Sequence, residues 1–521
     1  MHETTFSTAR ISQQPPAARA DRTTATVGIS GSRRNAAAAV AVNGRLEAFC
    51  EQERVTRVRR IGLAPGQLPA EALGTALATA GVAASDIGTF AVAEPDAMLP
   101  DSVPILRQLH HRAHAATAWL TSPFDRAAIL VCDRHRPQPV SVWVADSAGL
   151  VDLEWPWQGP GLADLYAECA AALGFAGREH QLETLARLSD GREADRFAPL
   201  LAYSDGCVRV DPRWPARVAD WCAGAVDPER ARARIAAAFQ EHLARLLVAL
   251  LADVKARVGV DHLCLTGGLF YNTRLNTAVA QSGLFARVHV PPNPGNAGLA
   301  AGLALAPSGD HTAATRARSP FLGPEYAPEA IKTVLDGCKI SCECVDEDDA
   351  VAIAVDALAR GLLVGWFQGR MEYGPRALGN RSILADPRWP YVLDNVNVYL
   401  KQRERYRPCA LSVCVDDVHR YFDGPAESPY MEFEYSAATD LLRHAIPAGV
   451  RSMRVQTVEP SQARFHALHK AFAARTGIGV LVNTSFNGFS EPIVCSPRDA
   501  IRVFFGTGID VLILDRFVVR K

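Results

Sequence analysis

The segment at residues 365–388 (GWFQGRMEYGPRALGNRSILADPR) constrains the fold more than any other part of the chain. It begins in the apolar run LLVGWF, which is typical of a buried strand, and then interleaves glycines with the arginines Arg370, Arg376, Arg381 and Arg388. Glycine lets the backbone approach a ligand closely, and arginine binds phosphate through paired hydrogen bonds. A solvated turn whose arginines pair with nearby acids is the alternative. We expect an anion-binding loop, because a simple turn does not need arginines spaced among glycines.

Two further polar segments fit the same pocket. The first is KQRERYRP, which carries the basic residues Lys401, Arg403, Arg405 and Arg407. The second is VNTSFNG, which follows the apolar run GIGVLV and carries the polar residues Asn483, Thr484, Ser485 and Asn487. Ligand contacts in α/β folds often lie where a buried strand ends in a loop, and we expect these amides and hydroxyls at such an end. Together the three segments predict one phosphate-binding pocket.

In this order, the three segments resemble the C-terminal half of the antibiotic and nodulation O-carbamoyltransferases, the family of the tobramycin, novobiocin, geldanamycin and cephamycin enzymes. SPYM at residues 428–431 and RVQTV at residues 454–458 extend the resemblance. It implies a YrdC-like α/β domain in which ATP, with Mg²⁺, and carbamoyl phosphate become carbamoyl-adenylate. The cofactor-binding residues that it implies are Arg370, Arg376, Arg381, Lys401, Arg403, Arg407, Arg454, Asn483, Ser485 and Asn487, with Lys401 and Arg407 catalytic. The chemistry agrees, because two polyanions brought together need fixed cations to offset their repulsion.

The N-terminal half opens with a strand and hairpin pattern. Strand VGIS is followed by the turn GSRRN, the apolar run AAAAVAV, an Asn-Gly turn at Asn43 and Gly44, and a further strand, LEAFCEQERVTR. This order is typical of a ribonuclease-H-like or actin-like ATPase lobe. The resemblance implies the same actin/Hsp70-like fold, related to the tRNA threonylcarbamoyl-transfer enzyme. Arg34 and Asn35 stand where the family usually has His-Asp.

The segment LHHRAHAATAW places His110 and His114 four residues apart. On a helix they share one face, the spacing used to hold a metal; a buried pair satisfied by backbone carbonyls is the alternative. The resemblance implies that they bind an iron-like divalent metal beside the carbamoyl group. Asp133 follows the strand RAAILVC, where an acid could activate an acceptor hydroxyl or hold a metal-bound water.

Two later loops carry the remaining candidates of this half. Gly267, Gly268 and Asn272 follow the strand HLCLT, and the resemblance implies that GGLFYN contacts a nucleotide. In the segment that normally supplies an aspartate as third metal ligand, this chain has Asn296. A neutral amide is a weaker ligand than a carboxylate. Three explanations stay open: a more weakly bound metal, a metal replaced by cations such as Arg34 or Arg134, or a lobe that no longer catalyses.

We therefore predict a flexible tail at residues 1–24, an actin-like transfer domain at 25–318 and a YrdC-like domain at 319–521. The tail lacks periodicity, and the linker APSGDHTAATRARSP is rich in small residues and proline. In the second domain, helical patterns alternate with strands, which suits an α/β fold.

Composition restricts the possible partners and the cellular compartment. A formal net charge of −1 argues against a nucleic-acid partner, and local basic clusters suit a small polyanion. Twelve cysteines, no secretory signal and no apolar span suited to a membrane helix predict a reducing cytoplasm. Cys338, Cys342 and Cys344 lack a second Cys/His pair at zinc-finger spacing, so we expect an edge strand there. The family contains dimers, and we expect a homodimer.

The first interpretation is an ATP-dependent carbamoyltransferase that carbamoylates a hydroxyl, or an amine, of a small secondary metabolite. One alternative is a carbamoyl- or threonylcarbamoyl-type transfer to tRNA, which would want a basic face. Another is a half-catalytic scaffold, in which the activating domain works and the divergent lobe binds a partner.

Overall fold

The computed structural model of the chain describes residues 25–31, 34–64, 67–93, 99, 102–135, 137–306 and 319–521. The predicted tail and most of the predicted linker lie outside the described residues. The proposed domain boundaries therefore stay a prediction.

The first sheet is built from the N-terminal hairpin. Its strands are β1 (Ala25–Ser30), β2 (Ala37–Val42), β3 (Arg45–Glu51), β4 (Ile87–Val92) and β5 (Ile105–Arg107), in the order β3-β2-β1-β4-β5. The first three strands are antiparallel, and β4 and β5 run parallel to β1. Asn43 and Gly44 have positive φ angles of 51° and 75°, as a two-residue hairpin turn requires. The last predicted strand is shorter than expected, because α1 (Gln52–Thr56) begins directly after Glu51.

The second sheet repeats this order. Its strands are β6 (Ala127–Cys132), β7 (Val140–Asp146), β8 (Gly149–Asp152), β11 (His262–Thr266) and β12 (Arg287–His289), in the order β12-β11-β6-β7-β8. Three antiparallel strands are again extended by two parallel ones. A separate hairpin consists of β9 (Leu201–Ser204) and β10 (Cys207–Val210). Two ribonuclease-H-like sheets in one chain are the actin-like arrangement, so the predicted α/β fold class is confirmed.

Helices α3 and α9 pack between these two sheets. The further helices of this half are α2 (Ala70–Ala80), α3 (His110–Leu120), α4 (Leu162–Ala172), α5 (Glu179–Ala186), α6 (Trp214–Cys222), α7 (Pro228–Val258), α8 (Thr273–Gln281) and α9 (Leu299–Leu305). The layer is rich in alanine, and a side chain at Gly302 would place its Cβ 2.5 Å from the backbone nitrogen of Thr117. Helices α3 and α9 are therefore in direct contact at Gly302.

Helix α7 is the one helix in the described part of the chain that is long and apolar enough to cross a bilayer. The expectation that no such span exists was therefore wrong on length and composition. However, 72% of its most apolar window is buried inside the protein. The Asp227 side chain caps its start, and Gly259 ends it with a φ of 62°. Its apolar surface is explained by core packing.

The C-terminal part contains one ten-stranded mixed sheet in the order β13-β22-β21-β14-β15-β20-β16-β19-β18-β17. The strands are β13 (Glu343–Cys344), β14 (Val364–Phe367), β15 (Arg381–Ala385), β16 (Leu411–Cys414), β17 (Phe422–Asp423), β18 (Glu434–Ala437), β19 (Met453–Val458), β20 (Val480–Ser485), β21 (Val511–Leu514) and β22 (Phe517–Arg520). The helices are α10 (Pro328–Gly337), α11 (Glu347–Ala359), the π-helix Asp394–Leu400, α12 (Val418–Tyr421), α13 (Ala463–Thr476) and α14 (Pro497–Phe505).

Two strand predictions need correction here. The CKISCEC segment forms an edge strand, but only over Glu343–Cys344. Strand β20 continues to Ser485, so Asn483 and Thr484 lie within the strand and not in the loop after it. Pairing of β20 with both β15 and β16 extends it, since each neighbour supplies hydrogen bonds to its backbone.

Candidate functional site

Helix α3 begins at His110, so its first two turns carry both predicted histidines. His110 and His114 are buried and share one helix face. β6 ends one residue before Asp133, which brings that carboxylate to the same place. The Nε2 atoms of His110 and His114 lie 3.0 Å and 3.1 Å from Oδ2 of Asp133. We call these three residues the His-Asp cluster.

Hydrogen bonds orient the ring of His114. Thr266 donates its hydroxyl to the Pro294 carbonyl at 3.2 Å, so the same hydroxyl accepts from Nδ1 of His114 at 3.3 Å. Nε2 of His114 is then unprotonated and faces a carboxylate oxygen. Nε2 of His114 and Oδ2 of Asp133 are then two hydrogen-bond acceptors 3.1 Å apart. Because two acceptors repel each other, they need a cation between them. Burial lowers the pKa of His114, which disfavours a proton in that position.

The carboxylate of Asp133 behaves as a ligand. Burial alone would raise its pKa, but His110 and His114 outweigh burial and hold the pKa of Asp133 well below its usual range. The three ligand atoms lie within 4.8 Å of one another, and two imidazoles with one carboxylate suit a divalent transition metal. These residues therefore fit the metal that the sequence predicts.

Asn296 lies beside the cluster, whereas Arg34 and Arg134 do not replace a metal in it. Asn296 is half-buried at the start of the turn Asn296–Gly298 and hydrogen-bonds to His114 from beside the cluster. The Arg134 side chain is 58% exposed and lies 3.5 Å from Asp164 and 3.7 Å from Glu179. Arg34 is exposed. Asp133 supplies the carboxylate, and Arg134 pairs with acids outside the cluster.

The GGLFYN loop supports the cluster from behind. Gly267 has a φ of 103°, and a Cβ there would lie 2.1 Å from the Cys132 carbonyl oxygen. A Cβ at Gly268 would lie 3.2 Å from Oδ1 of Asp133. Asn272 caps α8 by accepting from the backbone of Arg274 and Leu275. Gly267 and Gly268 thus let this loop lie close to the end of β6, and Asn272 caps α8. These are the structural roles of the three residues that the sequence predicts as nucleotide contacts.

A second centre lies between the two halves of the chain. Arg376, Arg407 and Arg454, all half-buried, point into it from the C-terminal part. Burial and the neighbouring Arg376 and Arg187 hold the pKa of Arg454 well below its usual range. Burial and Arg403 lower the pKa of Arg407 to about 10. Among the described residues, the Arg454 guanidinium has no hydrogen-bond or ion-pair partner.

The N-terminal half supplies the fourth arginine. Arg187, at the end of α5, donates to Glu434 at 2.6 Å and to Glu183 at 2.7 Å, and these side chains are buried. Its Nη2 also donates to the Thr273 hydroxyl at 3.0 Å. Arg187 therefore has two close carboxylate partners, whereas, among the described residues, Arg407 has one at 3.9 Å and Arg376 and Arg454 have none within ion-pair distance. We call Arg187, Arg376, Arg407 and Arg454 the arginine cleft.

Lys401 forms the far corner of this centre. Its buried ammonium donates to the Ser485 carbonyl at 2.5 Å, and to Oδ1 and the carbonyl of Asn487 at 2.6 Å and 3.0 Å. Ser485 also donates its hydroxyl to Oδ1 of Asn487 at 2.7 Å. Arg403 donates Nε to Asn397 at 2.8 Å. Lys401, Arg403, Ser485 and Asn487 thus converge beside the cleft, as the sequence predicts.

Three other residues predicted for the pocket make their hydrogen bonds away from the cleft. Arg381 is fully buried and donates to the backbone carbonyls of Gln368, Gly369, Asn380 and Pro324. Arg370 donates to the carbonyls of Glu47, Leu322 and Gly323. Asn483 donates to Gln456 within the sheet at 2.8 Å. Their donors hold the chain together and do not face the cleft.

The sequence analysis missed Glu183, Arg187 and Glu434. Arg187 and Glu434 are separated by 247 positions, so no linear motif joins them. The available signal was the i, i+4 pair Glu183 and Arg187, because charges on a buried helix face need partners.

Two family models and several curated proteins match this chain. Residues 216–305 match the family model described as Carbamoyltransferase N-terminus, and residues 355–521 match Carbamoyltransferase C-terminus. The chain is 33% identical to nodulation protein NolO of Bradyrhizobium diazoefficiens, over 79% of this chain and 78% of that protein. It is 32% identical to the 3'-hydroxymethylcephem-O-carbamoyltransferase of Amycolatopsis lactamdurans, over 79% and 80%.

Among solved structures, HypF of T. kodakarensis is similar to 55% of this chain and 48% of its own, with 15% identity and a TM-score of 0.36. We draw nothing from a similarity this low.

Proposed function

The chain belongs to the carbamoyltransferase family, and from that membership we propose that it uses ATP to activate carbamoyl phosphate and then carbamoylates a small-molecule hydroxyl. The arginine cleft is proposed as the activation site. The His-Asp cluster is proposed as the transfer site.

The observation that carries this proposal is the charge of the arginine cleft. Among the described residues, Arg376 and Arg454 have no carboxylate within ion-pair distance, and the ion pair of Arg407 to Glu404 is 3.9 Å long. The buried Glu183, which already binds Arg187, attracts all three arginines only at longer range. Assembling buried like charges costs free energy unless an anion joins them. ATP and carbamoyl phosphate are anions of the required kind, and guanidinium groups bind phosphate oxygens in pairs.

Water cleaves carbamoyl phosphate to carbamate and inorganic phosphate. A carbamate oxygen then attacks the α-phosphorus of ATP, and pyrophosphate leaves to give carbamoyl-adenylate. In the transfer step the acceptor oxygen attacks the carbamoyl carbon, the bond to the adenylate oxygen breaks, and AMP leaves and takes up the hydroxyl proton on its phosphate. Fixed cations in the arginine cleft stabilise the charge that develops on the departing pyrophosphate.

At the transfer site, His110, His114 and Asp133 would hold a divalent metal, which when bound supplies Lewis acidity for a carbonyl oxygen. The remaining oxygen of Asp133, Oδ1, accepts from the Arg134 backbone N–H at 2.8 Å and keeps a second lone pair. That lone pair orients the acceptor hydroxyl by hydrogen bonding. The cephem relative is named for carbamoylation of a hydroxymethyl oxygen, which supports O-carbamoylation here.

The test is acceptor-free formation of AMP and pyrophosphate from ATP and carbamoyl phosphate. We expect turnover in the wild type and its loss in Arg407→Ala and Lys401→Ala. Arg405→Ala is the matched control, because Arg405 belongs to the same segment but its side chain is 71% exposed. Normal turnover in both cleft variants would overturn the assignment of the cleft. Absence of turnover in the wild type would overturn the activation step and leave a non-catalytic scaffold.

A further inference from the structure

Three segments meet behind the arginine cleft. They are the end of β3, the loop at residues 292–296 and the loop at residues 369–381. The second leads to Asn296 beside the His-Asp cluster, and the third carries Arg376. The junction of these segments therefore sets the position of one reaction centre relative to the other.

Glu51, the last residue of β3, contacts both loops through one carboxylate. Its side chain is buried, and Oε1 accepts from Nδ2 of Asn293 at 2.9 Å. Oε2 accepts from Nε of the buried Arg54 at 2.6 Å. Arg54 in turn donates Nη2 to the Gly374 carbonyl at 2.6 Å. Glu51 thus ties the loop of Asn296 to the loop of Arg376.

The two loops also touch directly. Gly374 has a φ of 98°, and a Cβ there would lie 2.5 Å from the carbonyl oxygen of Pro292. Any side chain at this position would force the loops apart. The contact therefore has no spare room, and its geometry depends on the hydrogen bonds around it.

Tyr271 closes the arrangement on the side of the two centres. Its hydroxyl donates to Oδ1 of Asn293 at 2.5 Å, and its carbonyl accepts from Arg376 at 3.4 Å. A Cβ at Gly295 would lie 2.4 Å from the same hydroxyl, so the ring fills the space between the loops. Burial, with Glu51 and Asp133, raises the pKa of Tyr271, which keeps it a donor.

We propose that Glu51 is a positioning residue: it holds the two loops together and thereby keeps the activated carbamoyl group enclosed between the arginine cleft and the His-Asp cluster. This inference rests on the proposed two-step function. It assigns Glu51 no contact with substrate.

The substitution Glu51→Gln separates this role from general stability. A glutamine that accepts from Arg54 turns its amide nitrogen toward the donor Nδ2 of Asn293, and two donors repel. Asn293 cannot rotate its amide without losing the Tyr271 hydroxyl and the Gly295 N–H, both of which it accepts. The double variant Glu51→Gln/Asn293→Asp restores one donor and one acceptor with the same total charge.

Escape of the activated group is measured with hydroxylamine as the probe, in the full-length protein with ATP and carbamoyl phosphate. Hydroxylamine nitrogen attacks the carbamoyl carbon, AMP leaves and hydroxyurea forms. We expect Glu51→Gln to raise hydroxyurea formation about tenfold, the shift expected from losing one buried charge-assisted hydrogen bond. The first-turnover burst of pyrophosphate keeps its wild-type amplitude. The double variant returns to the wild-type rate.

Glu47→Gln is the matched control, since Glu47 lies on the same strand with a side chain 39% exposed. Wild-type trapping in Glu51→Gln would overturn the proposal, as would a folded double variant that traps like Glu51→Gln. If Glu51→Gln does not fold, Asn293→Leu replaces it, because leucine leaves Oε1 of Glu51 without its donor and opens the same junction. A wild type that releases no pyrophosphate overturns the two-step function itself, and that result is distinct from unchanged trapping.

Discussion

Arg381 lies flat on the ring of Phe367, with its guanidinium carbon 3.6 Å from the ring centroid. The same guanidinium donates to four backbone carbonyls around the loop at residues 369–381. The side chain therefore organises this loop from inside, whereas Arg376 of the same loop belongs to the arginine cleft.

Replacing Arg381 tests this division of roles. We expect Arg381→Met to lower the free energy of unfolding by more than about 3 kcal/mol, because it leaves buried carbonyls without donors. Thermal unfolding of the variant and of Arg405→Met, whose arginine side chain is 71% exposed, measures the difference. A fully stable Arg381→Met that has lost only nucleotide binding would return Arg381 to the pocket.

Replacing Arg454 should reduce activity without reducing stability, in contrast to the replacement of Arg381. We expect Arg454→Ala to reduce acceptor-free pyrophosphate release at least about 100-fold, because it removes a cation from the activation site. Its melting temperature should stay the same or rise, since Arg376 and Arg187 no longer face a third buried positive charge. Calorimetry and the pyrophosphate assay on one preparation check both effects. A large loss of stability would assign Arg454 a structural role.

Metal affinity should follow the ligand set of the His-Asp cluster. We expect Asn296→Asp to bind Mn²⁺ or Zn²⁺ about tenfold more tightly than the wild type, because it adds a carboxylate beside His114. His114→Ala should abolish binding, and His419→Ala, at an exposed histidine, should leave it unchanged. Equilibrium dialysis measures all three. Unchanged affinity in His114→Ala would make the histidines structural.

Glu432 predicts a dependence of stability on pH. Burial raises the pKa of its carboxyl from 4.5 to about 7, although Ser428 and Tyr430 donate hydrogen bonds to it. The folded state then binds this proton more tightly than the unfolded state does. Stability from this group is fully present below pH 4.5 and is lost as the pH rises through 7, by about 3 kcal/mol in total.

We therefore expect Glu432→Gln to melt at a higher temperature than the wild type at pH 8 and at a similar temperature at pH 4.5. Glu427→Gln, at a glutamate side chain that is 57% exposed, is the control. Melting curves at both pH values decide the matter, and parallel curves for Glu432→Gln and the wild type would contradict the assignment.

Local sequence patterns predicted the elements well. The Asn43-Gly44 hairpin, the histidine helix and the strand before Asp133 each depend on neighbours within a few residues. The joining of distant residues was not predictable in this way. Arg376 and Arg381 are alike in sequence, but the pairing of β15 with β14 turns Arg381 inward. Asn483 was placed in a loop because the length of β20 is decided by its partner strands.

The ion pair between Arg187 and Glu434 also limits how such a chain can be recombined. The two residues lie in opposite halves, and each is almost completely shielded from water. A chimera that takes only one half from a relative without this pair would inherit a single uncompensated charge at its seam. A stable chimera therefore needs both residues of this pair, whichever parent supplies each half.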